Sequence, residues 1–215
     1  MKTLFLIPLL LSLLLMACTC GDSKKGTHIP AIKQAVKQTI PVKKAVILDL
    51  IPYNDLPIEL KAYVYRHLVK IYPHISLQHS RALPPSAYYP ARRRYRADTI
   101  LHQLSDKTLA GHVAIALTSR DISTTNGKFA DWGIMGLSYC PGKACMASTF
   151  RLNKENLYDQ YFKIVIHELG HTQGLPHCPV KTCFMRDAEG GNHTNEETDF
   201  CPKCKKVLVK AGWQI

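Results

Sequence analysis

The sequence contains no internal repeat, no apolar run long enough to cross a membrane and comparatively few acidic residues. The absence of a repeat argues against solenoid and propeller folds. The main apolar stretch, residues 4–16, is shorter than the roughly 20 residues that a membrane-spanning helix needs. The 16 Asp and Glu residues are outnumbered by 28 Lys and Arg, so the formal net charge is +12. We therefore expect one globular domain whose basic surface attracts acidic substrates or anionic components of a cell envelope.

The first 40 residues have the composition of a targeting signal followed by a linker. Residues 1–17 combine an early lysine, Lys2, with the short apolar run, which predicts a signal peptide. The segment Leu-Met-Ala-Cys at 15–18 resembles the lipobox of bacterial lipoproteins, in which cleavage before the cysteine leaves that cysteine lipid-modified. We therefore expect Cys18 to anchor the protein to a membrane, outside the cytosol in a bacterial cell envelope. An ordinary secretory signal is the alternative. Residues 18–40 are mostly polar and predict a flexible tether.

The pattern of apolar residues from 41 onward predicts an α+β domain with a mixed, twisted sheet. Short runs rich in branched residues predict strands, and apolar residues at helical spacing predict helices. Pro141 and Gly142, between the last two strands, predict a turn and an antiparallel hairpin. The predicted strands cover residues 42–51, 75–78, 112–118, 132–139 and 144–152, and the predicted helices cover 57–71, 91–104 and 156–170.

Four of the five residues at 92–96 are arginines, the densest positive cluster in the chain. No aromatic ladder or known nucleic-acid-binding motif accompanies them. We therefore interpret the cluster as a solvated face of the second helix and expect no nucleic-acid partner.

The third predicted helix carries residues typical of a catalytic zinc site. His167 and His171 are four residues apart, which places both imidazoles on one helix face, with Glu168 beside them. Gly174 is placed where a backbone with positive φ can end the helix and bring His177 back as a third ligand. Three neutral imidazoles leave one position of a tetrahedral Zn²⁺ open for water. Glu168 can then act as the general base that takes the proton of this water.

The histidine motif continues into a cysteine-containing segment that resembles one known family. Cys178, Cys183, Met185, Cys201 and Cys204 follow in the pattern of the archaemetzincins, a branch of the metzincin metallopeptidases. The 15 residues between Met185 and Cys201 are two fewer than in the familiar pattern. The match to family-specific residues covers 167–204.

This resemblance implies a metzincin-like fold for residues 41–215, with the active-site helix in an upper part that ends at Gly174 and a small Cys-rich lower part after it. It implies that Met185 is the Met-turn residue beneath the catalytic zinc, and that the four cysteines hold a second, structural zinc. The expected cofactors are therefore two zinc ions per chain. It also implies that an antiparallel edge strand, for which 132–139 is the candidate, pairs with the substrate backbone.

Disulfide bonds are the alternative role for these four cysteines outside the cytosol. A disulfide across the short loop from Cys178 to Cys183 would stabilise the fold by about 2 kcal/mol, against roughly 10–16 kcal/mol for a structural zinc. A polar C-terminal segment needs the larger contribution, which favours zinc. Cys140 and Cys145 flank the predicted hairpin turn, and we expect a disulfide between them, with two free thiols as the alternative.

Together these features predict a zinc metallopeptidase that hydrolyses peptide bonds in peptides or proteins at or near a bacterial envelope. The alternative from another class is a non-catalytic, zinc-binding envelope lipoprotein that serves as a binding module. Glu168 favours the enzyme, because a pure binding site needs only the three histidines. Hydrolysis of some other amide at the same zinc site is a third hypothesis.

Overall fold

The computed structural model of the protein describes residues 45–215. The predicted signal peptide (1–17), the predicted lipid-modified Cys18 and the predicted tether (18–40) lie outside the described residues. Between residues 45 and 215, no helix combines the length and the apolar character that a membrane crossing requires.

Two β-sheets and four α-helices form the described part of the chain, in agreement with the predicted α+β class. In chain order the elements are β1 (Ile47–Pro52), α1 (Ile58–Ile71), β2 (Ile75–Leu77), β3 (Tyr88–Tyr89), β4 (Arg94–Arg96), α2 (Ala97–Lys107), β5 (His112–Thr118), β6 (Ile122–Asn126), β7 (Phe129–Ile134), β8 (Gly136–Ser138), β9 (Ala144–Ser148), α3 (Leu157–Thr172) and α4 (Pro202–Lys210). The main sheet has the order β2-β1-β5-β9-β8, in which β8 is antiparallel to β9 and all other neighbours are parallel. The smaller sheet has the order β3-β4-β6-β7 and is also mixed.

The central strands of the main sheet are covered on both faces, and their residues alternate between two cores. Along β5, Val113, Ile115 and Leu117 face the larger core, which α1 and α3 also line. Ala114 and Ala116 face the smaller core on the side of α2. This alternation follows from the two-residue period of a strand, and burial on both faces explains why the sequence of β5 is a nearly continuous apolar run.

Helix α3 lies in the larger core. Nine of its 16 residues are buried, among them Tyr161, Val165 and Leu169, which are fully inaccessible. The Tyr161 hydroxyl donates a hydrogen bond to the Ala147 carbonyl of β9 at 3.2 Å. The helix is therefore fixed to the main sheet, and the residues that it carries cannot shift without disturbing the core.

The predicted second helix begins at Ala97 rather than at residue 91, and this part of the prediction is wrong. Residues Pro90–Arg92 form a 3₁₀ turn, and strand β4 follows it. The arginine cluster is also not a solvated helix face: Arg94 Nε lies 3.1 Å from Asp121 Oδ2, and the Arg94 side chain is only 14% exposed. This segment is extended because β4 pairs with β3 on one side and β6 on the other, and an acidic partner distant in sequence balances the charge of Arg94.

The predicted strand at 132–139 is divided between the two sheets. β7 belongs to the smaller sheet and β8 to the main sheet, where β8 and β9 form the predicted antiparallel hairpin with Ser138 opposite Cys145. Strand β6 and helix α4 were not predicted. The reason is their composition, since most residues of β6 are polar and α4 has only one short apolar run, 207–209, which is flanked by lysines and shows no helical period.

The expected disulfide between Cys140 and Cys145 is wrong, because both cysteines are free thiols in this structure. Cys145 points from β9 into the larger core and is fully buried. Cys140 follows β8, is exposed, and its thiol donates to the Leu175 carbonyl at 3.4 Å. One thiol therefore faces the interior, whereas the other faces solvent and the segment after α3.

The Glu197 carboxyl, in the segment between α3 and α4, is buried, with 6% of the residue exposed. Burial raises its pKa to about 7, although the charges of Lys163 and Arg186 lower it. The neighbouring Glu196 shows the opposite behaviour, because a hydrogen bond from Arg186 at 2.7 Å lowers its pKa. The folded state holds the Glu197 proton more tightly than the unfolded state does. The contribution of Glu197 to the free energy of unfolding therefore falls as the pH rises from about 4.5 to about 7.

We predict that Glu197→Gln raises the free energy of unfolding above pH 7 by about 1–3 kcal/mol, with a smaller effect near pH 5. The substitution removes a group that must otherwise stay protonated or carry a buried charge. Urea denaturation of parent and variant across this pH range measures the difference. Glu196→Gln is the matched control, which loses its pair with Arg186 and should gain no stability. The same pH dependence in the parent and in Glu197→Gln would show that the prediction is wrong.

Candidate active site

Helix α3 and the turn after it carry the predicted histidine motif. His167 and His171 lie one helical turn apart near the end of the helix. Gly174 has a φ of 89°, as its predicted role in reversing the chain requires, and its N–H donates to the His171 carbonyl at 2.8 Å. This left-handed glycine ends the helix, and the chain returns to bring His177 beside the two helical histidines.

The three histidines converge on one point. Each offers a ring nitrogen that lies within 4.8 Å of those of the other two. The Nε2 atoms of His167 and His171 are 3.0 Å apart, and the ring of His177 is centred 5.5 Å and 4.8 Å from their rings. His177 is the most exposed of the three.

Hydrogen bonds at Nδ1 orient the two helical rings. His167 donates from Nδ1 to the Phe184 carbonyl, and His171 donates from Nδ1 to the Leu175 carbonyl, each at 2.6 Å. Burial, together with the neighbouring histidines, lowers the pKa of His167 to about 3, and burial also lowers the pKa of His171. Both rings are therefore neutral near pH 7, which is the form that binds zinc.

This donor set fits a zinc ion. In the neutral rings Nδ1 carries the proton, so each Nε2 presents a lone pair and cannot donate to its neighbour. Acceptor atoms that face one another at these distances need a shared cation, and three imidazoles are a ligand set of catalytic zinc sites.

Glu168 is buried on the same helix, with 7% of the residue exposed. The Ser138 hydroxyl donates to Glu168 Oε2 at 2.7 Å. Burial raises the pKa of Glu168 to about 7, although the Ser138 hydrogen bond lowers it. A methyl group at Gly136 would lie 2.4 Å from Glu168 Oε1, so this position of β8 has no room for a side chain. Ser138 and Gly136 are two residues apart on the strand, so both face α3.

Strand β8 is an edge of the main sheet. The Tyr139 N–H donates to Ala144, and Met135 accepts from the Ser148 N–H, so the odd-numbered residues direct their backbone groups toward β9. In an antiparallel pair the intervening residues direct theirs to the other side. The backbone N–H and C=O groups of Gly136 and Ser138 therefore point outward from the sheet, next to Glu168, where an extended peptide can pair with them.

Met185 lies against the active-site helix, where the Met-turn residue is expected. It is fully buried, and a methyl group at Gly170 would lie 2.5 Å from its Sδ atom. The Met185 carbonyl accepts a hydrogen bond from the Cys178 N–H at 2.7 Å, which ties the turn to the segment that follows His177.

The four cysteines of the lower part also converge. Their sulfur atoms all lie within 4.8 Å of one another, and each is a free thiol. Cys178 Sγ and Cys201 Sγ are 3.7 Å apart, and the Cys201 N–H donates to Cys183 Sγ at 3.3 Å. The disulfide alternative is not realised, and a set of four thiols at this spacing fits a closed tetrahedral zinc site.

Three residues that lie close to the histidine motif in space were not predicted from the sequence to belong to the site. Ser138 and Gly136 contact Glu168 from a strand some 30 residues earlier. Asp187, two residues after Met185, places its Oδ2 atom 3.0 Å from His177 Nδ1. The only local sign of the first two was their small size in a strand expected at the sheet edge, and nothing in the histidine motif pointed to Asp187.

Several known proteins are similar to this chain in sequence. The model of peptidase family M54 matches residues 86–210. An archaemetzincin of Thermococcus kodakarensis is 30% identical over 169 residues, covering 73% of this chain and 88% of that protein. An archaemetzincin of Halobacterium salinarum is 27% identical over 175 residues, covering 75% and 98%.

Solved structures show the same similarity. The crystal structure of an archaemetzincin from Methanopyrus kandleri has a TM-score of 0.66 at 26% identity and covers 80% of this chain and 98% of that chain. An archaemetzincin from Archaeoglobus fulgidus, complexed with malonate, has the same fold, with a TM-score of 0.64 at 23% identity and coverage of 75% and 99%.

We predict that Gly170→Ala lowers the free energy of unfolding by about 1–3 kcal/mol, because its methyl group overlaps the buried Met185. In an ordinary helix the same change stabilises by about 1 kcal/mol, so the sign of the effect is diagnostic. Urea denaturation measures it. Gly191→Ala, where the nearest atom would be 3.4 Å away, is the control and should stay within about 0.5 kcal/mol of the parent. A stabilised Gly170→Ala would contradict the packing of Met185 against α3.

Proposed function

Because this chain belongs to peptidase family M54, the archaemetzincins, we propose that its hydrolysis of peptide bonds takes place at His167, Glu168, His171 and His177. Membership of the family makes the chain a zinc metallopeptidase that acts on peptides or proteins. The observation that carries the proposal is the convergence of three imidazoles within 4.8 Å, next to the buried carboxyl of Glu168.

The three histidines would hold the catalytic zinc through their Nε2 atoms, because Nδ1 of each ring already has another partner. Zinc bound there supplies a Lewis acid, which polarises the scissile carbonyl and lowers the pKa of a water molecule to about 7. The carbonyls of Phe184 and Leu175 keep two of the rings neutral and correctly oriented.

Glu168 acts as the general base and afterwards as the general acid. It accepts a proton from the water that attacks the peptide carbonyl, and it passes this proton to the leaving nitrogen. Ser138 holds Oε2 of the carboxyl by a hydrogen bond and leaves Oε1 for the water. A non-catalytic zinc-binding protein has no use for a buried carboxyl held in this way, so the catalytic hypothesis is favoured over the binding module.

The substrate backbone binds along β8. The outward N–H and C=O groups of Gly136 and Ser138 pair with an extended peptide segment as an additional strand. Because the same two residues contact Glu168, a peptide that pairs with β8 is placed with a carbonyl group near the general base. This arrangement favours peptides over small isolated amides as substrates.

The second zinc would be held by Cys178, Cys183, Cys201 and Cys204. Four thiolates close the coordination sphere, so this ion is structural, and it joins the segment around Met185 to the start of α4. Its expected stabilisation, roughly 10–16 kcal/mol, compensates for the small apolar content of the lower part.

We also propose that Cys18 carries a lipid that holds the enzyme at a bacterial envelope. The support is the sequence of residues 1–18, with its early lysine, apolar run and Ala17-Cys18 pair. Labelled fatty acid should be incorporated into the parent and not into Cys18→Ala. An unlabelled parent would overturn the anchor without affecting the assignment of the active site.

Two variants separate metal binding from proton transfer. We predict two zinc ions per chain in the parent and in Glu168→Gln, and one in His171→Ala, by elemental analysis of the purified protein. On a peptide library, Glu168→Gln should lower kcat/KM by roughly 10²–10⁴-fold, because it keeps the zinc ligands and removes the base. Glu155→Gln, an exposed glutamate before α3, is the matched control and should retain parental activity.

Each outcome distinguishes between the components of the proposal. One ion in the parent and none in His171→Ala would show that the four cysteines hold no zinc, and it would still support the catalytic site. Absence of zinc from the parent would overturn both sites. Unchanged turnover in Glu168→Gln, with zinc retained, would overturn the role of Glu168 as the general base.

A further inference from the structure

The third histidine of the proposed zinc site has an acidic partner, whereas the first two have backbone carbonyls as partners. Asp187 Oδ2 lies 3.0 Å from His177 Nδ1. Resting on the histidine site proposed above, we infer that Asp187 is a positioning residue, which orients His177 and strengthens zinc binding at this site.

His177 needs such a partner more than the other two ligands do. His167 and His171 project from the buried helix α3, which limits the directions that their rings can take. His177 lies on the segment after the helix, and 47% of its side chain is exposed. A hydrogen bond at Nδ1 selects one ring orientation and the tautomer whose lone pair is on Nε2, and a carboxylate acceptor also makes that nitrogen more basic.

The local backbone holds the Asp187 carboxylate in place. Its Oδ1 atom accepts a hydrogen bond from the Glu189 N–H at 2.9 Å, so Oδ2 is the oxygen that faces His177. Glu189 has a φ of 48°, a left-handed conformation that is uncommon for residues other than glycine. A strained backbone of this kind persists where the surrounding structure requires it, and here it orients the carboxylate toward the ligand.

The short segment 184–187 thereby supports several parts of the site. The Phe184 carbonyl binds His167, Met185 packs against α3, and Asp187 reaches His177. The resemblance to known metallopeptidases accounted only for Met185. The geometry assigns a further role to the end of this segment.

Solvent exposure separates this role from a contribution to folding. Both side chains of the pair are about half exposed, and ion pairs in such positions add little to stability. A carboxylate that orients a metal-bound histidine, by contrast, typically changes metal affinity roughly tenfold to a hundredfold. Loss of Asp187 should therefore weaken zinc binding at the histidine site and leave the stability of the protein that lacks this ion almost unchanged.

The chain contains a matched control for this test. His102 and Asp106 on α2 form a pair of the same type, with Nδ1 and Oδ2 2.9 Å apart and both side chains exposed. Asp106→Ala removes one carboxylate from a histidine that is not part of the zinc site. Any general effect of lost negative charge on zinc uptake appears in this variant as well.

The experiment is a zinc competition against a chelator with the purified full-length protein. The histidine-site ion is identified as the one that His171→Ala lacks. We expect its dissociation constant to rise roughly tenfold to a hundredfold in Asp187→Ala, to rise less in Asp187→Asn, and to stay at the parental value in Asp106→Ala. Absorption spectra of the cobalt-substituted proteins should show an altered histidine site in the two Asp187 variants alone. Thermal unfolding in the His171→Ala background, which keeps the ion of the four cysteines and lacks the histidine-site ion, should be similar with and without each of the three substitutions.

The possible results are distinguishable. Parental zinc affinity in Asp187→Ala overturns the role of Asp187 and leaves the histidine site intact. A parent without a His171-dependent ion overturns the site itself. If Asp187→Ala does not fold, Asp187→Asn carries the test, and an affinity and cobalt spectrum equal to those of the parent overturn the inference.

Discussion

The burial of α3 against β9 is the contact on which the active site depends. Tyr161, Val165 and Leu169 fill the larger core, and the Tyr161 hydroxyl ties the helix to the β9 backbone. Two of the proposed zinc ligands and the proposed base occupy the last turns of this helix, so their separation is set by the helix itself. The residues that stabilise the fold and the residues that support the chemistry therefore lie on the same element.

Around this helix, each active-site side chain is held by a partner from a different segment. Ser138 on β8 holds Glu168, the Phe184 and Leu175 carbonyls hold the helical histidines, and the lower part adds Met185. These hydrogen bonds satisfy Nδ1 and one carboxyl oxygen before any ligand binds. The site is preorganised in consequence, which limits the reorganisation needed during catalysis.

The parts of the site that could be predicted are those whose geometry is local. A helical repeat places His167 beside His171, and a helix end requires a residue such as Gly174 that tolerates positive φ. Contacts between distant segments could not be read in this way. Arg94 lies in a strand that pairs with β3 and β6, and the direction of Cys145 is set by the pleat of β9 rather than by its distance from Cys140. Local periodicity therefore overestimated the length of α2, and the positions of Cys140 and Cys145 on either side of a predicted turn suggested a disulfide that does not form.

The crowding at Gly136 also bears on how substrate preference can evolve. On β8, Gly136 is kept small by Glu168, Ser138 is engaged by the same carboxyl, and Leu137 packs into the core on the other face of the sheet. Each residue of the strand is thus committed to catalysis or to packing, and none has a side chain free to vary with the substrate. In the proposed mode of binding, mutations that change specificity must therefore arise outside β8, because the strand would recognise only the peptide backbone common to all substrates.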